Sequence, residues 1–188
     1  IFIPERPDAM MLLKITLQLA AILGGGLAQV HGQGFISTTK LRQHLETLFN
    51  APRSAAQPQE KDRVREGTEL ELLTVVKSLP PITAESVIMF TKQNFTVEGS
   101  PGQNLVLSIK GERYNTPWDK PILIGTHYDT VSDSPGTDDN GSGMAAVIEI
   151  ARALLQATTN CVFLNTIFLV AFDFEEAASE LFILLSHL

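Results

Sequence analysis

Apolar positions along this chain follow two different periods, and the change from one to the other divides it. From Ser37 to Phe49, Leu41, Leu45 and Leu48 recur at helical spacing with Lys40, Arg42, Gln43 and Glu46 between them, which predicts an amphipathic helix. The segment Asn-Ala-Pro-Arg-Ser-Ala-Ala-Gln-Pro-Gln at 50–59 breaks it. A second helix is predicted over Gly67 to Ser78, with Leu70, Leu72, Leu73, Val75 and Val76. It stops before Pro80-Pro81, because a residue preceding proline is pushed out of the helical region. The period then changes to two. Ser86 to Thr91 and Asn104 to Lys110 read as strands, the second alternating Leu105, Leu107 and Ile109 and closed by Gly111, and Tyr114 to Lys120 reads as a polar loop.

Beyond Pro121 the pattern changes again. Ile122 to Thr126 is a short apolar run suited to a strand buried on both faces, with His127 at its carboxyl end. Met144, Val147, Ile148, Ala151, Leu154 and Leu155 return to helical spacing, so a helix is predicted to start near Gly141 to Gly143. Phe163 to Phe172 supplies another buried strand and runs into Asp173-Phe174-Glu175-Glu176. Strand, helix, strand with a right-handed crossover makes the two strands parallel, so His127 and the glutamate pair should emerge at the same sheet edge, where open α/β sheets bind ligands. The fold class predicted is α/β.

Composition narrows the function. The chain has 188 residues, 44% of them apolar, enough for a substantial core. Its net charge of −7 argues against a nucleic-acid partner, since such binders normally carry a concentrated basic surface. The sign-alternating run Glu60 to Glu66 reads as a solvated helix face or loop. Residues 1–9 look like sequence upstream of a start at Met10-Met11, and residues 10–30 read as a signal peptide, with Lys14 before an apolar stretch ending at Ala28. That stretch is shorter than the roughly 20 residues a membrane crossing needs. It is interrupted by Gly24 to Gly26, so no stable membrane anchor is expected and the protein is expected to be secreted or luminal. Residues 31–188 would form one domain. The sequon Asn94-Phe95-Thr96 fits that route, and Cys161 has no partner for a disulfide within the chain.

The chemistry concentrates at the predicted sheet edge. His127, Asp129, Asp138, Asp139, Glu175 and Glu176 make an imidazole and carboxylate set suited to zinc or a similar divalent ion. A calcium loop does not fit: with Gly141 in the invariant glycine position, the first and last ligands would be Gly136 and Val147. Asp129, two residues past His127, lies on the same side of an extended chain and could orient the imidazole. Asp138 is expected to accept hydrogen bonds in the turn, and Gly141 and Gly143 to let the chain turn tightly into the helix.

Three ordered motifs, Gly125-Thr-His-Tyr-Asp129, Pro135-Gly-Thr-Asp-Asp-Asn-Gly-Ser-Gly143 and Phe172-Asp-Phe-Glu-Glu176, resemble those of the co-catalytic di-zinc exopeptidases, a family that includes bacterial leucyl aminopeptidase, plasma glutamate carboxypeptidase and the glutaminyl cyclases. The resemblance implies a three-layer sandwich around a mostly parallel, mixed central sheet. It implies two Zn2+ ions, with His127 on one, Glu176 on the other and Asp139 bridging them. It further implies Glu175 as general base, a cis peptide at Asp139-Asn140, and hydrolysis of peptide substrates by an aminopeptidase-type exopeptidase. Past Glu176 the family continues through a Gly-Leu-x-Gly-Ser-like turn to an Asp and a His ligand, whereas here the chain runs Ala177-Ala-Ser-Glu to Leu188. His187 reads as incidental. With two protein ligands per zinc, below the usual three, the chain is expected to be an incomplete copy, truncated at its C-terminus and inactive alone. Two alternatives stay open: a glutaminyl cyclase, whose members usually carry Thr-Asp-Ser where this chain has Thr137-Asp-Asp-Asn140, and a non-catalytic truncated product.

Overall fold

A computed structural model describes residues 36–80 and 87–177. The expectations for residues 1–9, for the signal segment 10–30, for Ser86 as a strand start and for His187 lie outside the described residues.

Helix α1, Thr38–Thr47, is capped by Ser37, whose Oγ accepts from Lys40 N at 3.2 Å and satisfies one of the free amides of the first turn. Helix α2, Pro58–Ser78, starts at Pro58 rather than at Gly67. Proline suits a first helical turn, where its missing N–H costs nothing. Lys61, Val64, Thr68, Leu72 and Val75 form the buried stripe of α2, so the charged run is a continuation of the amphipathic pattern, with Lys61 drawn to the inside. The expectation of a wholly solvated face is corrected at that residue.

Strand β1, Ile88–Val97, and strand β2, Ser100–Ile109, form an antiparallel hairpin turned by Glu98 and Gly99, both at positive φ. Strand β3 spans Ile122–His127, helix α3 Ser142–Ala157 and strand β4 Ile167–Phe172. Strand β4 begins later than Phe163 because the carbonyls of Phe163 and Leu164 accept from Glu112 N and Arg113 N, and the Asp119 carboxylate holds Thr166 through its N at 3.0 Å and its Oγ1 at 2.6 Å.

The sheet order is β1-β2-β4-β3. It is mixed: β1 with β2 and β2 with β4 are antiparallel, while β3 and β4 are parallel and bring His127 opposite Phe172. This is an α/β fold, as expected. Leu105 and Ala171 on one face of the sheet pack with Met144, Ala145 and Ile148 of α3, Val64 of α2, Phe49 and Tyr128. The leucine, isoleucine, valine, methionine and phenylalanine side chains among them each gain roughly 1.5–3 kcal/mol from leaving water. Val106, Val170 and Phe172 form a second cluster on the alternate residues of β2 and β4. Helix α1 is tied to α3 by His44 Nε2, 3.2 Å from Glu149 Oε1, with Arg152 Nε donating to the same oxygen at 3.0 Å. Among the described residues no helix is long and apolar enough to cross a membrane.

Candidate metal centre

The parallel pairing of β3 with β4 determines what can meet. His127 is the last residue of β3, and the chain leaving β4 reaches Glu175 and Glu176 three and four residues after Phe172. The loop from Tyr128 returns through one wide turn, Thr137–Gly141, so that Asp139 stands above the strand ends. His127, Asp139 and Glu176 each offer one donor atom, and these atoms all lie within 4.8 Å of one another. His127 Nε2 is 3.1 Å from Asp139 Oδ1 and 3.7 Å from Glu175 Oε2.

Asp129 joins the two strand ends. Its backbone carbonyl is 3.2 Å from His127 Nδ1 and its Oδ1 is 3.4 Å from the same atom, leaving Nε2 to face the carboxylates. Its Oδ1 also accepts from Glu175 N and its Oδ2 from Glu176 N, both at 3.2 Å. The spacing of His127 and Asp129 suggested the contact with the ring. It gave no sign of the bonds to the glutamate backbone, which arise from the neighbouring strand.

The charges around the site call for a cation. Burial disfavours the imidazolium of His127, but the hydrogen bond and charge of Asp129, with Glu175 behind them, outweigh it and hold the group up at about 9. Burial also pushes the Glu176 carboxyl above its usual range, and the charges of Asp139, Asp129 and Glu175 add to this against the pull of His127. Four carboxylates around one imidazole are left short of positive charge, and a divalent ion accepting the facing nitrogen and oxygens would supply it. The residues therefore fit a bound metal.

The other expected residues differ in part. Asp138 is exposed and outside the three-donor group, and its backbone carbonyl, rather than its carboxylate, takes the bond from Ser142 Oγ at 2.8 Å. The peptide Asp139-Asn140 is cis. The left-handed turn residue is Gly136, at φ 54°, while Gly141 is helical at φ −57°. Gly141 is needed for space instead, since a Cβ there would lie 2.7 Å from Phe49 Cβ and 2.8 Å from Gly136 O.

Two further residues support the site without having been singled out by the sequence. Lys61 Nζ is 3.0 Å from Asp173 Oδ1 in a buried pair and lies 3.8 Å over the Phe174 ring. Asp173 N donates to Asn104 Oδ1 at 2.9 Å, so the chain just before the glutamates is fixed on both sides. Arg53 is fully buried and stacks 5.4 Å over Phe49. Burial lowers its pKa to about 10, which leaves it charged at neutral pH.

Comparison with known proteins finds similarity in both sequence and fold. Residues 104–186 match the sequence profile of peptidase family M28. Leupeptin-inactivating enzyme 1 of Streptomyces exfoliatus is 40% identical over 67 residues, which cover 36% of this chain and 14% of that enzyme. Matches to curated relatives of this kind cover 6–21% of their length. The LapA aminopeptidase of Legionella pneumophila superposes with a TM-score of 0.57 at 20% identity, over 72% of this chain and 34% of that one. The glutaminyl cyclase of an Acidobacteriales bacterium does so with a TM-score of 0.52 at 17% identity, over 79% and 48%. At these identities both show a shared fold and nothing finer. Residues 104–186, a stretch that takes in all three motifs, are thus similar to peptidase family M28.

Proposed function

We propose that this site belongs to a zinc-dependent metallopeptidase of aminopeptidase type, which removes residues from peptide substrates by hydrolysis. The observation that carries the proposal is the convergence of His127, Asp139 and Glu176 donors within 4.8 Å. His127 and Glu176 would each hold one of two zinc ions and Asp139 would bridge them. When bound, zinc supplies Lewis acidity to the scissile carbonyl and lowers the pKa of a water molecule towards neutrality.

The chain's own groups do the rest. Asp129 holds the His127 ring by its Nδ1 and the glutamate backbone by both carboxylate oxygens. Glu175 would take a proton from the attacking water, a role supported by its lying outside the three-donor group and 3.7 Å from His127 Nε2. As the new C–O bond forms and the C–N bond breaks, the same carboxyl returns the proton to the leaving amine nitrogen. The apolar stretch in residues 10–30 supports delivery to the secretory pathway.

The test is Glu175→Gln in the full protein that carries these residues. Release of the first residue from a short peptide with a free amino terminus is expected to fall by at least about 10²–10⁴-fold, with the zinc content unchanged. Turnover equal to that of the unaltered protein refutes the assignment of the base, and a substrate whose blocked amino terminus makes no difference refutes the exopeptidase reading.

A further inference from the structure

The nine residues between His127 and Thr137 leave the sheet, pass through the exposed Val131, Ser132 and Asp133, and return to the turn that carries Asp139. An irregular stretch of this kind has many conformations of similar energy, yet its two ends must hold an imidazole and a carboxylate at a set separation. What fixes it comes from the connection between α1 and α2. Arg53 Nε donates to Tyr128 O at 2.5 Å, Nη1 to Pro135 O at 2.7 Å and to Ala51 O at 3.1 Å, and Nη2 to Gly136 O at 2.8 Å. Arg53 N donates to Thr130 Oγ1 at 2.9 Å. The same connection takes Thr137 Oγ1 on Phe49 O at 3.2 Å, and Gln57 Nε2 reaches Ser132 O at 3.3 Å.

We propose that Arg53 is the positioning residue of the metal centre: its guanidinium gathers the carbonyls at both ends of the loop and thereby sets the spacing of His127 and Asp139. The proposal rests on the reading of His127, Asp139 and Glu176 as metal-holding. Four donor contacts to backbone carbonyls, made by a side chain with no exposure to solvent, show a group placed to shape the main chain. Only a planar fork can take the successive carbonyls of Pro135 and Gly136 on separate nitrogens while a third nitrogen holds Tyr128; a lysine brings the charge on a single atom. The substitution Arg53→Lys therefore separates charge from geometry.

The experiment measures zinc affinity by competition with a chromophoric chelator, alongside circular dichroism and thermal unfolding of the metal-free protein. Arg53→Lys is expected to lower the affinity about tenfold or more while the folded signal is retained, because supporting groups around metal ligands typically contribute 10–100-fold. In Arg53→Ala the loss is expected to be larger and to be partly reversed by guanidinium ion at concentrations well below denaturing, which can refill the vacated site. Thr130→Val, which removes only the acceptor of Arg53 N, is expected to shift the affinity in the same direction by less, and it carries the test if Arg53→Ala does not fold. A merely structural role would lower the unfolding temperature and leave the zinc affinity of folded protein unmoved. Unaltered protein that binds zinc, with Arg53→Lys binding it equally well, overturns the role of Arg53 alone. Unaltered protein that binds no zinc overturns the reading of the site, and the role of Arg53 with it.

Discussion

Asp129 ties the strand ends that carry His127 and the glutamate pair with one carboxylate, which makes it the residue whose loss should be felt most widely beside the proposed metal-holding groups. Asn at this position keeps one acceptor oxygen and turns an NH2 group towards the other contact, so it cannot accept from both Glu175 N and Glu176 N, while the backbone carbonyl still meets the His127 ring. Asp129→Asn is expected to weaken zinc binding by about 10–100-fold in an equilibrium competition assay. Asp173 tests packing instead of chemistry. It is fully buried against Lys61, so Asp173→Asn leaves an ammonium in the interior without its counter-charge and should cost about 3–5 kcal/mol in urea unfolding, while a double change to Lys61→Met and Asp173→Leu should recover much of that. The same carboxyl also has a readable pH signature. Burial, partly opposed by Lys61, holds its pKa above the ordinary 3.8, so on acidification the native state takes up this proton before the unfolded chain does. Between the raised value and 3.8, this group alone makes stability increase as pH falls, opposite in sign to a carboxylate held low, and Asp173→Asn should remove that component from the pH dependence of the urea midpoint.

At the scale of elements, the loop and the wide turn into α3 depend on close approach. Gly141 sits under Phe49 and Gly136 O, neither of which can move without disturbing α1 or the loop, so Gly141→Ala is expected to destabilise the protein by about 1–3 kcal/mol, measured as a shift in denaturant midpoint. The sequence suggested a glycine requirement here but for a different reason, because crowding by a residue far along the chain leaves no local mark. The same distinction runs through the other elements. The strand β3, helix α3 and the carboxyl end of β4 were legible because their apolar periods are strong and uninterrupted. The start of α2 was hidden by a charged run whose buried member, Lys61, is identified only by its partner Asp173 on another element. The start of β4 was misplaced because Asp119, from the preceding loop, takes the amide and hydroxyl of Thr166. Of the site, the group His127, Asp139 and Glu176 was named from its motifs, and the structure brings its donor atoms within 4.8 Å of one another. Arg53 lay in a proline-broken connection that looked like a simple interruption, and only the folded chain shows its nitrogens meeting the loop carbonyls.

For the whole molecule, the central consequence is an unbalanced group of acidic side chains on a stable α/β frame. With a net charge of −7 and the Asp129, Asp139, Glu175 and Glu176 carboxylates gathered around one histidine, the folded protein should gain stability from a divalent ion that the unfolded chain cannot hold in the same way. By mass action, zinc at a hundred times its dissociation constant should add about 2.7 kcal/mol to unfolding. The most direct measurement is zinc-edge X-ray absorption on the zinc-loaded protein and on His127→Ala. The account predicts a shell of nitrogen and oxygen at about 2.0–2.2 Å with imidazole scattering beyond it that falls by one ring in His127→Ala. Imidazole scattering undiminished in His127→Ala, a sulfur shell from Cys161, or no retained zinc would contradict it.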